Sequence, residues 1–148
     1  MCVILDNDIV AEVLFATSED PYFVMQKAID RGDVVIYYGG KLRKEYEKGR
    51  VMNRILQLDQ AGKAQAVSDS RINVRTEEIK RQGICRSNDT HVIALANVAK
   101  VGLLCTRDNN LMTDFKCKNL VDNPRGKIWN PMHHRKLIRR CRKRCRSQ

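Results

Sequence analysis

Apolar and polar positions fall in blocks that read alternately as strand and helix. Val3-Ile4-Leu5 is a short apolar run stopped by the triplet Asp6-Asn7-Asp8, the pattern of a buried strand that opens into a polar loop. Ile9 to Ala16 is apolar enough for a helix with Asp8 in its first turn. Thr17-Ser18-Glu19-Asp20-Pro21 is a helix-start signal; the helix it opens, Tyr22 to Arg31, stops at Gly32. The β-branched and aromatic run Val34-Val35-Ile36-Tyr37-Tyr38 predicts a second strand. Gly39-Gly40 breaks it, a helix follows from Lys41 to Lys48, and Gly49 closes that helix. Val51, Ile55 and Leu58 mark a further helix ending at Gly62. Ala66 to Val74 is ambiguous, with a third strand expected around Ile72 to Val74. Ser87-Asn88-Asp89 introduces a helix over Thr90 to Lys100 that is apolar nearly all round, hence buried. Gly102 to Cys105 reads as a strand, Asn109 to Phe115 as a helix, and Lys127-Ile128-Trp129 as a last short strand.

Strands interleaved with helices predict a three-layer α/β/α fold around a mostly parallel sheet of four to five strands. The intervals between strands supply the dozen or more residues that a parallel crossover needs. A chain of 148 residues is one domain's worth. The boundary is set at a folded domain over 1–130 and a tail over 131–148.

Charge changes the picture only at the carboxyl end. The net charge is +11, and ten of the 28 lysines and arginines lie from Arg125 onward, where there is no acid. The remaining eighteen nearly balance the 17 acids, so the body is close to neutral. A basic block of this kind suits a polyanion or an acidic protein partner. Arg135 to Arg146 can form a helix with Leu137, Cys141 and Cys145 on one stripe. Arg135, Arg139, Arg140, Arg142, Lys143 and Arg144 would then present charge to RNA. Solvated surface is the competing account of the same residues.

The longest apolar stretches are far too short to span a bilayer, so no membrane association is expected. The amino terminus has no basic region followed by a long apolar one, which argues against a secretory signal and for the cytoplasm. Of the six cysteines, Cys2, Cys85, Cys105 and Cys117 are scattered and read as unpaired thiols. Cys141 and Cys145, downstream of His133-His134, have a spacing that zinc sites use. Their arginine-rich surroundings lack the turn residues of such a site.

The chemistry lies in the acids. Asp6 and Asp108 each follow an apolar strand, and the carboxyl edge of a parallel sheet is where ligands bind. Glu45 sits on the helix after the second strand, and Asp89 opens the buried helix before the strand leading to Asp108. A parallel arrangement gathers all four at one edge. Each pair of carboxylates near 4 Å apart costs about 4 kcal/mol at an effective dielectric near 20. Such a cluster calls for protons, basic partners or a metal cation. Mg²⁺ or Mn²⁺ takes an all-oxygen shell of this type. Each acid also has an ordinary role open to it. Asp89 and Asp108 could cap helices, for about 1 kcal/mol each. Glu45 could pair with Lys41 or Lys48 along its own helix, and Asp6 could be a turn residue. His91 reads as a packing or capping residue, His133 and His134 as loop residues near Pro131, and Trp129 as core. Lys44 and Arg107 flank the acids and could steer a phosphate backbone.

In these residues the chain resembles PIN-domain ribonucleases, above all the small toxins of bacterial toxin–antitoxin pairs. The resemblance covers residues 1 to about 130. It rests on Val-Ile-Leu-Asp-Asn-Asp at the start, Leu-Arg-Lys-Glu-Tyr around Glu45, Asn-Asp-Thr-His-Val-Ile-Ala-Leu-Ala around Asp89, and Leu-Leu-Cys-Thr-Arg-Asp-Asn-Asn-Leu around Asp108. It implies that Asp6, Glu45, Asp89 and Asp108 bind Mg²⁺ or Mn²⁺ and that the protein cleaves RNA. Thr106 would orient Asp108 through its hydroxyl, and Asp114 would be a peripheral fifth acid. Asp8 departs from the family, which more often has a neutral polar residue there; it would join the metal shell or favour a helix amino terminus. The resemblance further implies an acidic antitoxin and homodimerisation.

Two other functions fit parts of the sequence. An apolar strand followed by Asp6-Asn7-Asp8 resembles the nucleophile loop of haloacid-dehalogenase-like phosphatases, in which Asp6 would attack phosphate and Asp8 act as acid and base. That family also requires a downstream lysine and a paired-acid motif, and Arg107-Asp108-Asn109-Asn110 has one acid. The third is a non-catalytic α/β module that binds RNA or protein.

Overall fold

The computed structural model describes residues 1–132. Five strands form one sheet: β1 (Cys2–Leu5), β2 (Val35–Tyr38), β3 (Ala64–Ala66), β4 (Leu103–Cys105) and β5 (Lys127–Ile128). Their order is β3-β2-β1-β4-β5 and every neighbouring pair is parallel. Helices flank this sheet in a three-layer α/β/α arrangement: α1 (Val10–Leu14), α2 (Phe23–Asp30), α3 (Gly40–Lys48), α4 (Met52–Gln60), α5 (Asp69–Gln82), α6 (Thr90–Ala99) and α7 (Asn109–Lys116). Parallel strands covered on both faces have no solvent side, which is why β1 is an unbroken apolar run, with Val3, Ile4 and Leu5 fully buried. The same reasoning covers α6, whose Val92 to Ala96 lie inside the core.

The third strand differs from expectation. It lies at Ala64–Ala66, and Ile72 to Val74 belong to the fourteen-residue helix α5. Two β-branched residues suggested a strand, but helical periodicity wins over local propensity. Ile72 and Ile79, seven apart, bury on one side, whereas Val74 is exposed. The helix has its own signals: the Ser68 hydroxyl accepts the Arg71 N–H, and Gly83 ends it in the left-handed conformation. Helix α2 begins at Phe23, two residues past Pro21, because the Asp20 carboxylate accepts the Tyr22 N–H and holds a turn there.

The cysteines need a correction as well. Cys85, Cys105 and Cys117 are free, but Cys2, half-buried at the start of β1, is disulfide-bonded. Among the described residues, no helix is long and apolar enough to cross a membrane. The tail residues His133, His134, Arg135, Arg139, Arg140, Cys141, Arg142, Lys143, Arg144 and Cys145 lie outside the described residues.

Strand order places the functional edge. From β1 the chain builds outward through β2 to β3, then returns to the other side for β4 and β5. Between β1 and β4 the direction of growth reverses, and in open parallel sheets a crevice forms at the carboxyl ends of such a pair. Ile4 pairs with Leu104 and Leu5 with Cys105. The Asp6 N–H extends the ladder to the Cys105 carbonyl at 2.9 Å. Helices α5 and α6 pack along each other, and α3 touches both, bringing the Glu45 helix against the Asp89 helix.

The turn into α3 has no room for a side chain. A Cβ on Gly39 would lie 2.6 Å from the Val67 carbonyl oxygen, and the residue's φ of +158° with ψ of 174° is a glycine conformation. The next amide, Gly40 N–H, donates to Asp69 at 2.7 Å and ties α3 to α5. Gly39→Ala is therefore expected to destabilise the protein by about 2–4 kcal/mol in urea unfolding, whereas Gly32→Ala, with open space around it, should cost about 1 kcal/mol from its positive φ alone.

Candidate metal centre at the β1–β4 edge

Asp6 is the buried acid of this edge, 4% exposed. Its Oδ1 accepts the Asn7 N–H at 2.8 Å and its Oδ2 accepts the Thr106 hydroxyl at 2.7 Å. Thr106 follows β4, so the contact crosses the crevice between the two strands. The same hydroxyl lies 3.5 Å from Asp8 Oδ2 and accepts the Asp108 N–H at 3.1 Å. A hydroxyl has one proton to give, and the shorter contact assigns it to Asp6. Thr106 thus orients Asp6, not the Asp108 carboxylate; it touches Asp108 only through the backbone.

Asp8 Oδ2 accepts the Arg107 N–H at 3.0 Å. The carboxylate is therefore drawn across to the loop after β4, away from the first turn of α1. Asp108 Oδ1 accepts the Asn110 and Leu111 N–H groups at 2.9 and 3.2 Å, a cap on α7. The capping role weighed for Asp108 is present, and it occupies one of the two oxygens. Asp89 does not cap with its side chain. Instead the Asp89 N–H donates to the Ser87 hydroxyl at 2.8 Å, and its carboxylate accepts no hydrogen bond among the described residues.

Electrostatics ties these groups together. Burial pushes the Asp6 carboxyl up to about 6, the Thr106 hydrogen bond opposes the rise, and the charges of Asp8 and then Asp89 add to it. Asp8 is raised by burial, against the Arg107 amide, with Asp108 contributing repulsion. Four acids from three separated stretches therefore feel one another's charge. Among the described residues, no lysine or arginine forms an ion pair with Asp6, Asp8, Asp89 or Asp108. The Arg107 guanidinium, half-exposed, pairs with Glu12. Lys44 is exposed on α3.

Glu45 does not use Lys41 or Lys48. Its Oε1 meets His91 Nε2 at 2.7 Å, joining α3 to α6. His91 is 6% exposed. Burial holds the imidazole below the ordinary histidine range, against the upward pull of Glu45 and Asp89. Behind the pair, the fully buried Tyr46 hydroxyl donates to the Leu5 carbonyl. Burial raises that phenol well above its usual range, and Asp6 and Glu45 raise it further. Glu45 thus shares the electrostatic neighbourhood of Asp6.

Asp114 is bound to the loop ahead of Asp89. It is 2% exposed, and its carboxylate accepts the Arg86 N–H at 3.0 Å and the Ser87 N–H at 2.8 Å. It fixes the loop that delivers Asp89. Trp129 is buried and packs near Tyr22, ring centroids 6.0 Å apart.

The donors are hard oxygens, none paired with a lysine or arginine and only Glu45 with a histidine, a chemistry that suits Mg²⁺ or Mn²⁺. Their present spacing is a different matter: among the described residues, no group of three or more His, Cys, Asp or Glu side chains lies close enough to hold a metal ion. Mutual repulsion of unpaired carboxylates favours that separation. Compared with known proteins, the chain matches no family model, no curated protein and no solved structure.

Sequence reasoning missed the partnership of His91. The signal was available: a histidine directly before five apolar residues of a buried helix must find a polar partner once buried. The role of Asp114 was not visible, because its amide partners lie 27 and 28 residues away.

The burial of Asp6 has a measurable sign. Its carboxyl titrates near 6 when folded and near its ordinary 3.8 when unfolded. The folded state therefore binds the proton first, so stability is greatest below 3.8 and is lost as pH rises through 6. Asp6→Asn removes the ionised group and leaves an acceptor for the Asn7 N–H. It is expected to unfold later than wild type at pH 8, by about 1–3 kcal/mol, with the difference closing by pH 4 in denaturant titrations.

Proposed function

We propose that the chain is a metal-dependent endoribonuclease hydrolysing RNA phosphodiester bonds with Mg²⁺ or Mn²⁺ at the β1–β4 edge, in the manner of the PIN-domain ribonucleases it resembles. The observation that carries this reading is Asp6: a buried carboxylate at the switch point of a parallel sheet, raised by two further acids and paired with no base. Such an arrangement costs stability without a compensating charge, and a cationic ligand would supply that charge. A bound divalent cation supplies Lewis-acid stabilisation of a phosphodiester and a nucleophilic water at neutral pH.

The protein's own groups have distinct tasks. Asp6, Asp89, Asp108 and Glu45 offer anionic oxygens, with Asp8 at the rim. Thr106 fixes Asp6 and the backbone at Asp108 with one hydroxyl. Asp114 fixes the loop before Asp89. An acidic pocket repels the RNA backbone, so substrate approach depends on the cation and on basic groups at the rim. Lys44, exposed on α3, and Arg107, after β4, are the candidates for that role, and the sequence adds further basic residues from Arg135 to Arg144. RNA as the substrate, an acidic antitoxin, homodimerisation and a cytoplasmic location follow from the family resemblance and the basic tail.

The phosphatase alternative is weaker. It requires a lysine beside the nucleophile, and no lysine among the described residues pairs with Asp6. The non-catalytic alternative draws on the spacing of the acids, which do not already form a three-ligand cluster among the described residues.

Incubation with single-stranded RNA and Mn²⁺ separates these. Cleavage is expected from the wild-type chain, lost on chelation, and reduced at least about 100-fold by Asp6→Asn or Asp89→Asn. Equal cleavage by wild type and both variants would refute the site. In parallel, Mn²⁺ at a hundred times its Kd should stabilise the wild type by about 2.7 kcal/mol; no shift in melting temperature and no cleavage would favour the non-catalytic module.

A further inference from the structure

We propose that the outer face of α3 is a track for the sugar–phosphate backbone of single-stranded RNA, with Lys41, Lys44 and Lys48 each set to neutralise one phosphate. The inference rests on the ribonuclease reading for the identity of the strand; the track itself requires no metal ion.

Helix α3 lies against the carboxyl edge of the sheet. The Tyr46 hydroxyl donates to the Leu5 carbonyl at the end of β1, and a Cβ on Gly49 would sit 3.5 Å from Asn7 Oδ1. Leu42 and Tyr46 are fully buried, which turns the opposite face of the helix outward. Lys41, Lys44 and Lys48 are exposed, and their spacing of three and then four residues puts them on one stripe of that face. The charge of Lys41 reaches His91 in the first turn of α6, so the stripe begins beside the helix that Asp89 opens.

These ammonium groups are uncompensated. Among the described residues, none of the three forms an ion pair. Of the acids within a turn of them on α3, Glu45 is taken by His91, and Glu47 pairs with none of the three. Lys44 and Lys48 stand one turn apart, where like charges repel, and an anion laid along the stripe relieves that repulsion. From Lys41 to Lys48 the helix rises about 10.5 Å, the span of about three phosphates on a strand that advances about 3.4 Å per nucleotide. The face also lacks what a protein partner would grip. The exposed large apolar side chains among the described residues are Phe15, Leu56, Val74, Ile84 and Met132, and α3 carries none of them. Protein interfaces depend on buried aromatic and arginine anchors, whereas a phosphate backbone is held chiefly by charge.

Fluorescence anisotropy of a labelled uridine oligomer of about twelve nucleotides, titrated with the full chain in EDTA over a range of salt, tests the track. Lys41→Gln, Lys44→Gln and Lys48→Gln combined are expected to weaken binding at least about 10-fold at about 100 mM salt and to flatten the slope of log affinity against log salt by about 2; Lys44→Gln alone should flatten it by about 0.7. Lys100→Gln, Arg125→Gln and Lys127→Gln combined remove the same charge at the opposite edge, where β4 and β5 begin. That control should leave the slope within about 0.5 of wild type. The basic residues from Arg135 onward are the same in every variant, and thermal unfolding measured alongside establishes that each variant is folded. An unchanged slope in the α3 variant, equal flattening by both sets, or no binding by the wild-type chain would overturn the track. So would loss of poly-glutamate binding with RNA binding intact, the behaviour of a surface for an acidic protein. Cleavage by wild type with Mn²⁺ beside an unchanged slope in the α3 variant removes the track and leaves the nuclease; a flattened slope with no cleavage by wild type leaves the track and removes the nuclease.

Discussion

The pairing of β1 with β4 is the constraint from which the rest of the edge follows. Two apolar strands, far apart in sequence, lie side by side in register, Leu5 against Cys105. Each then ends in polar residues, and the ends meet. Asp6 continues the ladder through its amide and sends its carboxylate to the hydroxyl of Thr106, the residue that leaves β4. A buried acid is tolerated there because two hydrogen bonds partly replace its hydration. They replace it incompletely, and the elevated proton affinity of Asp6 measures the shortfall.

Around that junction, the other acids are each held by a different device. Asp108 is pinned through its helix cap and its amide. Asp8 is drawn across the crevice by the Arg107 amide. Glu45 is set by an imidazole from α6, and Asp89 by a loop that Asp114 secures from below. The devices share a feature: amides, one hydroxyl and one imidazole do the holding, and guanidinium or ammonium groups do not. The carboxylates at this edge are thus oriented without an ion pair to lysine or arginine. Neutral donors orient carboxylates without cancelling their field.

Much of this was legible before any coordinates, and the reasons are physical. Strand β1 and helix α6 are buried on all sides, so their composition alone identifies them: Val3-Ile4-Leu5 and Val92 to Ala96 have no polar face to confuse the period. The acids at the strand ends were visible for the same reason, since an abrupt carboxylate after an apolar run is costly in a core. Helix α5 was not legible, because only Ile72 and Ile79 bury and the residues between them are polar or exposed. Its strand-like Ile72-Asn73-Val74 is decided by packing against α6, a long-range fact. The same limit applies to the partners of the acids. Helix propensity suggested lysines one turn from Glu45, but the imidazole arrived from 46 positions away. Thr106 was expected to orient Asp108; its hydroxyl accepts the Asp108 N–H and donates to Asp6. Which oxygen a hydroxyl reaches depends on the angle between two loops.

Helix α7 carries a consequence for motion at this edge. Its first turn is anchored by Asp108, and near its other end Asp114 grips the amides ahead of Asp89. Six residues of helix are a stiff strut of about 9 Å. Two acids from different parts of the chain are thereby mounted on one rigid bar. A displacement of α7 along its axis would carry Asp108 and the loop before Asp89 in the same direction, so the spacing of the two acids is held by one helix.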